Sequence, residues 1–170
     1  EVKRDTVKTA DLHVRDPFVL PVSAEGKYYL YGTGLPGGDV GFDAYRSSDL
    51  ENWEGPLPAF RPAKGFWATR NFWAPEVHLY KGRYYMFASF KAEGVPRGTQ
   101  ILAADRPDGP FVPLTEKPVT PKDWECLDGT LYVDPKGEPW MVFCHEWVQV
   151  GDGEICAMRL SEDLRTAVGK

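Results

Sequence analysis

Phe72-Trp73-Ala74-Pro75-Glu76-Val77-His78-Leu79-Tyr80-Lys81-Gly82-Arg83-Tyr84-Tyr85-Met86-Phe87-Ala88-Ser89-Phe90 is the stretch whose reading decides the fold. Val77, Leu79 and Tyr80 mark one strand, and the aromatic and apolar run over 84–87 marks a second. Between them Lys81-Gly82-Arg83 supplies the glycine that a short hairpin requires. The first strand opens on a carboxylate, Glu76, directly after a proline.

The same order of features recurs on either side. Upstream, Arg15-Asp16-Pro17-Phe18-Val19-Leu20 opens a strand with a carboxylate beside proline, Ala24-Glu25-Gly26-Lys27 reads as a turn, and Tyr28-Tyr29-Leu30-Tyr31-Gly32-Thr33 answers it. A glycine-rich loop over 34–41 leads to a third strand at 42–47 and a fourth element that starts at Ser48-Asp49-Leu50. Residues 100–104 and Arg106-Pro107-Asp108-Gly109-Pro110-Phe111 complete the second unit. The third unit runs Leu127-Asp128-Gly129-Thr130-Leu131-Tyr132-Val133, a turn at Lys136-Gly137-Glu138, then 140–144, 154–160 and a fourth element at 161–164. Tyr28, Tyr84 and Trp140 set a repeat of about 56 residues. Repeats of this length, each built of four short antiparallel strands, are the blades of a β-propeller. The expected fold is therefore all-β, with blades over 14–62, 72–118 and 126–170.

Composition agrees. Of 170 residues, 42% are hydrophobic and 14% aromatic, with 17 Gly and 15 Pro, which favours many short strands over long helices. A formal net charge of -5 with no basic block speaks against a nucleic-acid or membrane-surface partner and for a neutral or weakly polar substrate. Glu1 in place of an initiator Met reads as an excised or processed chain, which leaves localisation unassigned. Cys126, Cys144 and Cys156 are odd in number and lack Cys-x-x-Cys spacing, so they read as buried thiols.

An acid stands at the start of the first strand of every unit: Asp16, Glu76 and Asp128. In a propeller that strand lines the central channel, so the three converge on one end of it. Singly each is a turn former; repeated, they point to chemistry. Two carboxylates facing one pocket are the minimum for hydrolysing a glycosidic bond, and a third tunes and orients its neighbours. Trp73, three residues before Glu76, is expected at the same rim with Phe72 as a platform for a sugar ring.

The Arg15-Asp16-Pro17-Phe18 opening, Ser48-Asp49-Leu50 followed by Trp53, Trp73-Ala74-Pro75-Glu76, the paired tyrosines, Asp108-Gly109-Pro110-Phe111 and Leu127-Asp128-Gly129-Thr130-Leu131-Tyr132 together resemble glycoside hydrolase family 43. That family contains β-xylosidases, α-L-arabinofuranosidases and arabinanases acting on xylan and arabinan. The resemblance implies a five-bladed propeller, of which about three blades lie in this chain, and an inverting mechanism. Asp16 matches the general base that activates water, and Asp128 the residue that tunes the pKa of the acid and orients it. Base and acid carboxyls are then about 6.5 to 9.5 Å apart.

The family's general acid is a Glu on a later blade, ahead of Gly-Pro, and no such motif follows here. Glu146 and Glu125 are the candidates for that role within the chain. Glu76, Trp73, Phe72 and His145 are expected to touch substrate, and His78 to pack. No histidine pair has metal-ligand spacing, so no protein-built transition-metal site is expected; the resemblance implies at most a calcium ion in the channel of a complete propeller. The expected partner is an oligosaccharide or polysaccharide, with self-association or a complementing chain to cover open blade edges. The alternative to an enzyme is a non-catalytic carbohydrate-binding or scaffold propeller.

Overall fold

The computed structural model describes residues 6–34 and 40–169, so most of the expected glycine-rich loop lies outside the described residues. The strands are β1 (Thr6–Lys8), β2 (Arg15–Val22), β3 (Lys27–Thr33), β4 (Phe42–Ser47), β5 (Asn52–Phe60), β6 (Arg70–Tyr80), β7 (Arg83–Ala92), β8 (Val95–Ala104), β9 (Val112–Pro113), β10 (Cys126–Val133), β11 (Pro139–His145) and β12 (Glu154–Arg159). A single helical turn, α1 (Trp147–Val150), precedes β12. They form three antiparallel sheets, ordered β1-β5-β4-β3-β2, β6-β7-β8-β9 and β10-β11-β12.

The deciding stretch is the β6–β7 hairpin. Tyr80 pairs with Arg83, and the two loop residues between them, Lys81 and Gly82, both have positive φ, 49° and 79°. That is a type I′ turn, whose twist matches the twist of the flanking strands.

Three expectations differ from the structure. The fourth element expected at 106–111 is a turn, and β9 follows it at Val112–Pro113. The polar start of the chain, which carries no strand pattern, supplies β1: Thr6, Val7 and Lys8 pair with Glu54, Trp53 and Asn52 on the outer edge of the first sheet. The Trp53 indole N–H then donates to Thr9 Oγ1 at 2.8 Å. In the third unit, 161–164 is a turn and not a strand, and only a bridge between Leu160 and Ala167 follows it. Ser161 Oγ bonds Asp163 at 2.7 Å and Leu164 has φ 62°, repeating the turn at 47–50, where Ser47 Oγ bonds Asp49 at 3.0 Å and Leu50 has φ 63°. The shared Ser-x-Asp-Leu pattern, Ser47 to Leu50 and Ser161 to Leu164, marks a side-chain-capped turn that ends a strand, because its hydroxyl and carboxyl take up backbone amides that a ladder would otherwise use.

The middle sheet is buried on both faces. Met86, Ala88 and Phe90 of β7 join Tyr31, Phe42 and Phe60 of the first sheet, while Phe87 between them joins Met141, Phe143 and Leu160 on the other side. Double burial explains why β7 reads as a nearly continuous apolar run. In β11, by contrast, buried and half-buried residues alternate.

Candidate active site

Each sheet begins with the same backbone irregularity. In β2, Arg15 faces Thr33 and Phe18 faces Tyr31, so Asp16 and Pro17 stand against Gly32 alone. In β6, Trp73 faces Ser89 and Glu76 faces Phe87, so Ala74 and Pro75 stand against Ala88. In β10, Leu127 faces Cys144 and Thr130 faces Val142, so Asp128 and Gly129 stand against Phe143. These are β-bulges, and the first residue of each is left-handed: Asp16 at φ 52°, Ala74 at 45° and Asp128 at 54°. Three non-glycine residues held in that region at equivalent places mark a geometry that the fold maintains against backbone strain.

The register corrects the sequence alignment of the units. The second unit's equivalent of Asp16 and Asp128 is Ala74. Glu76 stands two residues further on and shares its place with Phe18 and Thr130. Aligning the residue that follows the acid, Pro17, Pro75 and Gly129, would have revealed the offset.

Asp16 and Asp128 are both exposed, and Asp16 Oδ2 lies 3.4 Å from Arg15 Nε. Partial burial and the negative charges of Asp16, Glu76 and Glu146 push Asp128 above the usual aspartate range, with Arg97 opposing them. Because the Asp128 side chain is open to solvent, the crowding of carboxylates is the firmer part of that cause. Glu76 moves the other way. Burial raises it, but hydrogen bonds from His78 and Thr130 and the charge of His78 outweigh burial and hold it low. His78, expected only to pack, bridges all three sheets: its Nε2 is 3.2 Å from Glu76 Oε2 and 3.3 Å from Thr130 Oγ1, and its ring lies 5.5 Å from that of Phe18.

A cleft of about 620 Å³ is lined by Trp73, Lys91, Arg97, Glu125, Glu146 and Trp147 among others. A second cleft, of about 690 Å³, lies beside Trp67, Gln100, Thr115 and Arg165, and none of the three acids lines either one. Arg97, which the sequence reading missed, ties the smaller cleft together. Its guanidinium is ion-paired with buried Glu146, donates to Asn71 Oδ1 at 3.2 Å and lies 4.5 Å from the Trp73 ring centroid. That contact covers one face of the expected sugar platform with a cation. Glu125 pairs with Lys91 Nζ at 2.5 Å and accepts the Arg97 amide at 2.7 Å. Burial raises its carboxyl, yet these partners prevail and lower it.

Two expected substrate residues are placed elsewhere. The Phe72 ring packs at 5.0 Å from Phe90 and 6.2 Å from Phe42, within the core between the first two sheets. His145 is buried, stacked on Trp124 at 4.1 Å and bonded through Nε2 to Gln149 Oε1 at 2.8 Å. Among the described residues no three His, Cys, Asp or Glu side chains gather at metal-binding distance.

Against known proteins, the model of "Glycosyl hydrolases family 43" matches residues 9–170. The chain is 27% identical over 174 aligned positions to an extracellular exo-α-(1→5)-L-arabinofuranosidase of Cellvibrio japonicus, covering 92% of this chain and 46% of that protein. It is 26% identical over 133 positions to an extracellular endo-α-(1→5)-L-arabinanase of Bacillus subtilis, covering 71% and 40%. The crystal structure of an endo-arabinase from Bacteroides thetaiotaomicron superposes with a TM-score of 0.91 at 44% identity, covering 96% of this chain and 56% of that one. The chain thus spans about half the length of these relatives. Such neighbours are five-bladed β-propellers, and the three sheets here form part of one. By the match over nearly its whole length, the chain belongs to glycosyl hydrolase family 43.

Proposed function

We propose that this chain carries part of an inverting glycosidase site for pentose-containing plant polysaccharides, with α-1,5-L-arabinan as the first substrate to test. The observation that carries the reading is the pair of left-handed bulges that present Asp16 and Asp128 from two different sheets within electrostatic reach of each other. Similarity to proteins named as arabinanases and an arabinofuranosidase supports arabinan over xylan.

In this reading Asp16 takes a proton from a water as its oxygen attacks the anomeric carbon on the face opposite the leaving group. The glycosidic C–O bond breaks, a general acid protonates the departing oxygen, and the freed sugar has inverted configuration. Asp128 contributes a negative charge that keeps the acid protonated to higher pH and holds it in place. Neither Glu125 nor Glu146 suits the acid's role. A general acid must carry a proton at the working pH and be free to reach the leaving oxygen: Lys91 and the Arg97 amide hold Glu125 low, and Glu146 is buried against Arg97. The reading assigns both to structure and takes the acid from other residues.

The test is hydrolysis of linear arabinan, arabino-oligosaccharides and aryl β-xyloside by the intact protein that contains this chain. Asp16→Asn is expected to lower kcat on arabinan by about a thousandfold with KM little changed. Absence of hydrolysis on every one of these substrates, or an Asp16→Asn protein of undiminished kcat, overturns the reading and favours a carbohydrate-binding propeller.

A further inference from the structure

The bulges at Ala74 and Asp128 are held by the neighbouring sheet, and they are not held equally. The Ala74 amide donates to Thr33 Oγ1 at 2.6 Å, and the Asp128 amide donates to Ser89 Oγ at 3.0 Å. Thr33 and Ser89 occupy the same ladder place, facing the residue before the bulge in their own sheets. A hydroxyl of one sheet therefore takes up the first bulge amide of the next.

At the third sheet a second clamp is added. Gly129 N–H donates to Thr99 Oγ1 at 3.1 Å, and Thr99 stands directly opposite Ser89 across β7 and β8. Ser89 and Thr99 are both fully buried, and the Thr99 amide is tied in turn to Thr120 Oγ1 at 3.1 Å. The second bulge position in β6 is Pro75, which has no N–H, so no second clamp can form there. Gly129 fits the clamp closely: a Cβ on it would lie 2.6 Å from Thr99 Cγ2. The Asp128 bulge is thus fixed on both sides of its Cα, while the Ala74 bulge is fixed on one.

We infer that Ser89 and Thr99 are positioning residues, which fix the left-handed backbone of Asp128 and so aim its carboxylate at the group formed by Asp16, Glu76 and Glu146. The inference rests on the assignment of Asp128 to the reaction, but its geometry does not depend on turnover. The charged groups that face Asp128 are Asp16 on β2, Glu76 on β6, Arg97 on β8 and Glu146 after β11. A carboxylate released from the clamp moves away from three like charges toward solvent.

The experiment is the titration of the Asp128 carboxyl, followed by carbon NMR in the intact protein that contains this chain. Ser89→Ala and the nearly isosteric Thr99→Val are each expected to move the midpoint down toward the free-aspartate value of about 3.9. Ser89→Thr restores it. Thr33→Ala, which unclamps Ala74, costs comparable stability and leaves Asp128 where it was. Should Ser89→Ala fail to fold, Thr99→Val decides alone, since it keeps the shape of the side chain. An unmoved midpoint in the clamp variants, or one moved equally by Thr33→Ala, shows a merely structural hydroxyl and overturns the inference. A moved midpoint supports it whether or not arabinan hydrolysis changes, and unchanged hydrolysis would then count against the catalytic assignment of Asp128 alone.

Discussion

The bulge at Ala74 and the bulge at Asp128 have one backbone and two purposes. Both place their first residue near φ 50°, both are tied through that residue's amide to a hydroxyl of the preceding sheet, and both follow a residue paired across the ladder. The Ala74 bulge offers a methyl group. The Asp128 bulge offers a carboxylate, and around it stand Asp16, Glu76, Glu146 and Arg97. The bulge belongs to the blade repeat, then, and the chemistry is an option exercised at particular copies of it. A left-handed non-glycine residue costs of order 1 to 3 kcal/mol, and at Ala74 that cost returns no functional group.

The sharpest way to break the comparison is to exchange the loads. In the intact protein Asp128→Asn is expected to lower kcat on arabinan by about a hundredfold or more, whereas Ala74→Ser changes it less than threefold. Asp128→Asn should also move the alkaline limb of the pH profile to lower pH, because the acid loses the negative charge that raised its pKa. Equal losses in the two variants would show that the bulge backbone, and not the carboxylate, matters.

The next effect tests the charges beneath only one of the bulges. Glu146 is buried and its cation is Arg97. Arg97→Met leaves that carboxylate uncompensated, at an expected cost of roughly 3 to 5 kcal/mol in denaturant unfolding, and Arg97→Met with Glu146→Leu recovers most of it. If the single variant loses under about 1 kcal/mol, water reaches Glu146 and the pair is a surface bridge. A smaller effect sharpens the backbone half of the comparison. Ala74→Gly relieves the left-handed strain but adds freedom to the unfolded chain, so a net gain of at most about 1 kcal/mol is expected. A loss would mean that the Ala74 methyl group has packing value of its own.

Most of the architecture was legible because hairpins announce themselves locally. Lys81-Gly82 between two apolar runs permits little other than a tight turn, and three such units at even spacing imply blades. What escaped was whatever depends on register. A bulge adds one residue without changing composition, so Glu76 looked like the repeat of Asp16 although Ala74 is. The partners that fix Asp128 and Gly129 come from residues 39 and 30 positions away, Ser89 and Thr99, whose type carries no signal in a strand. Arg97 was equally silent, since one arginine in a polar loop is ordinary until its guanidinium is seen over Trp73. Phe72 misled for the opposite reason: its place beside Trp73 suggested the rim, but a side chain two positions from the bulge points into the Phe42 and Phe90 core.

The smallest expected effect separates Asp128 from its neighbour Glu76 by sign. The folded state raises Asp128, so it holds that proton more tightly than the unfolded chain does, and stability falls as pH climbs from near 4 through the folded value. Asp128→Asn should therefore stabilise the chain at pH 7, by less than about 1 kcal/mol after solvent screening, and the gain should vanish at pH 3, where both states are protonated. Glu76 is held low, so its contribution is present above its unfolded value and lost as pH falls through the folded one. Glu76→Gln should cost a similar small amount at pH 7, and that cost should fade on acidification. Thermal unfolding of both variants at pH 3 and pH 7 measures the two signs. Variants that move in the same direction would show that the carboxylates of this group are not crowded against one another, and the distinction between the loaded and the empty bulge would rest on backbone geometry alone.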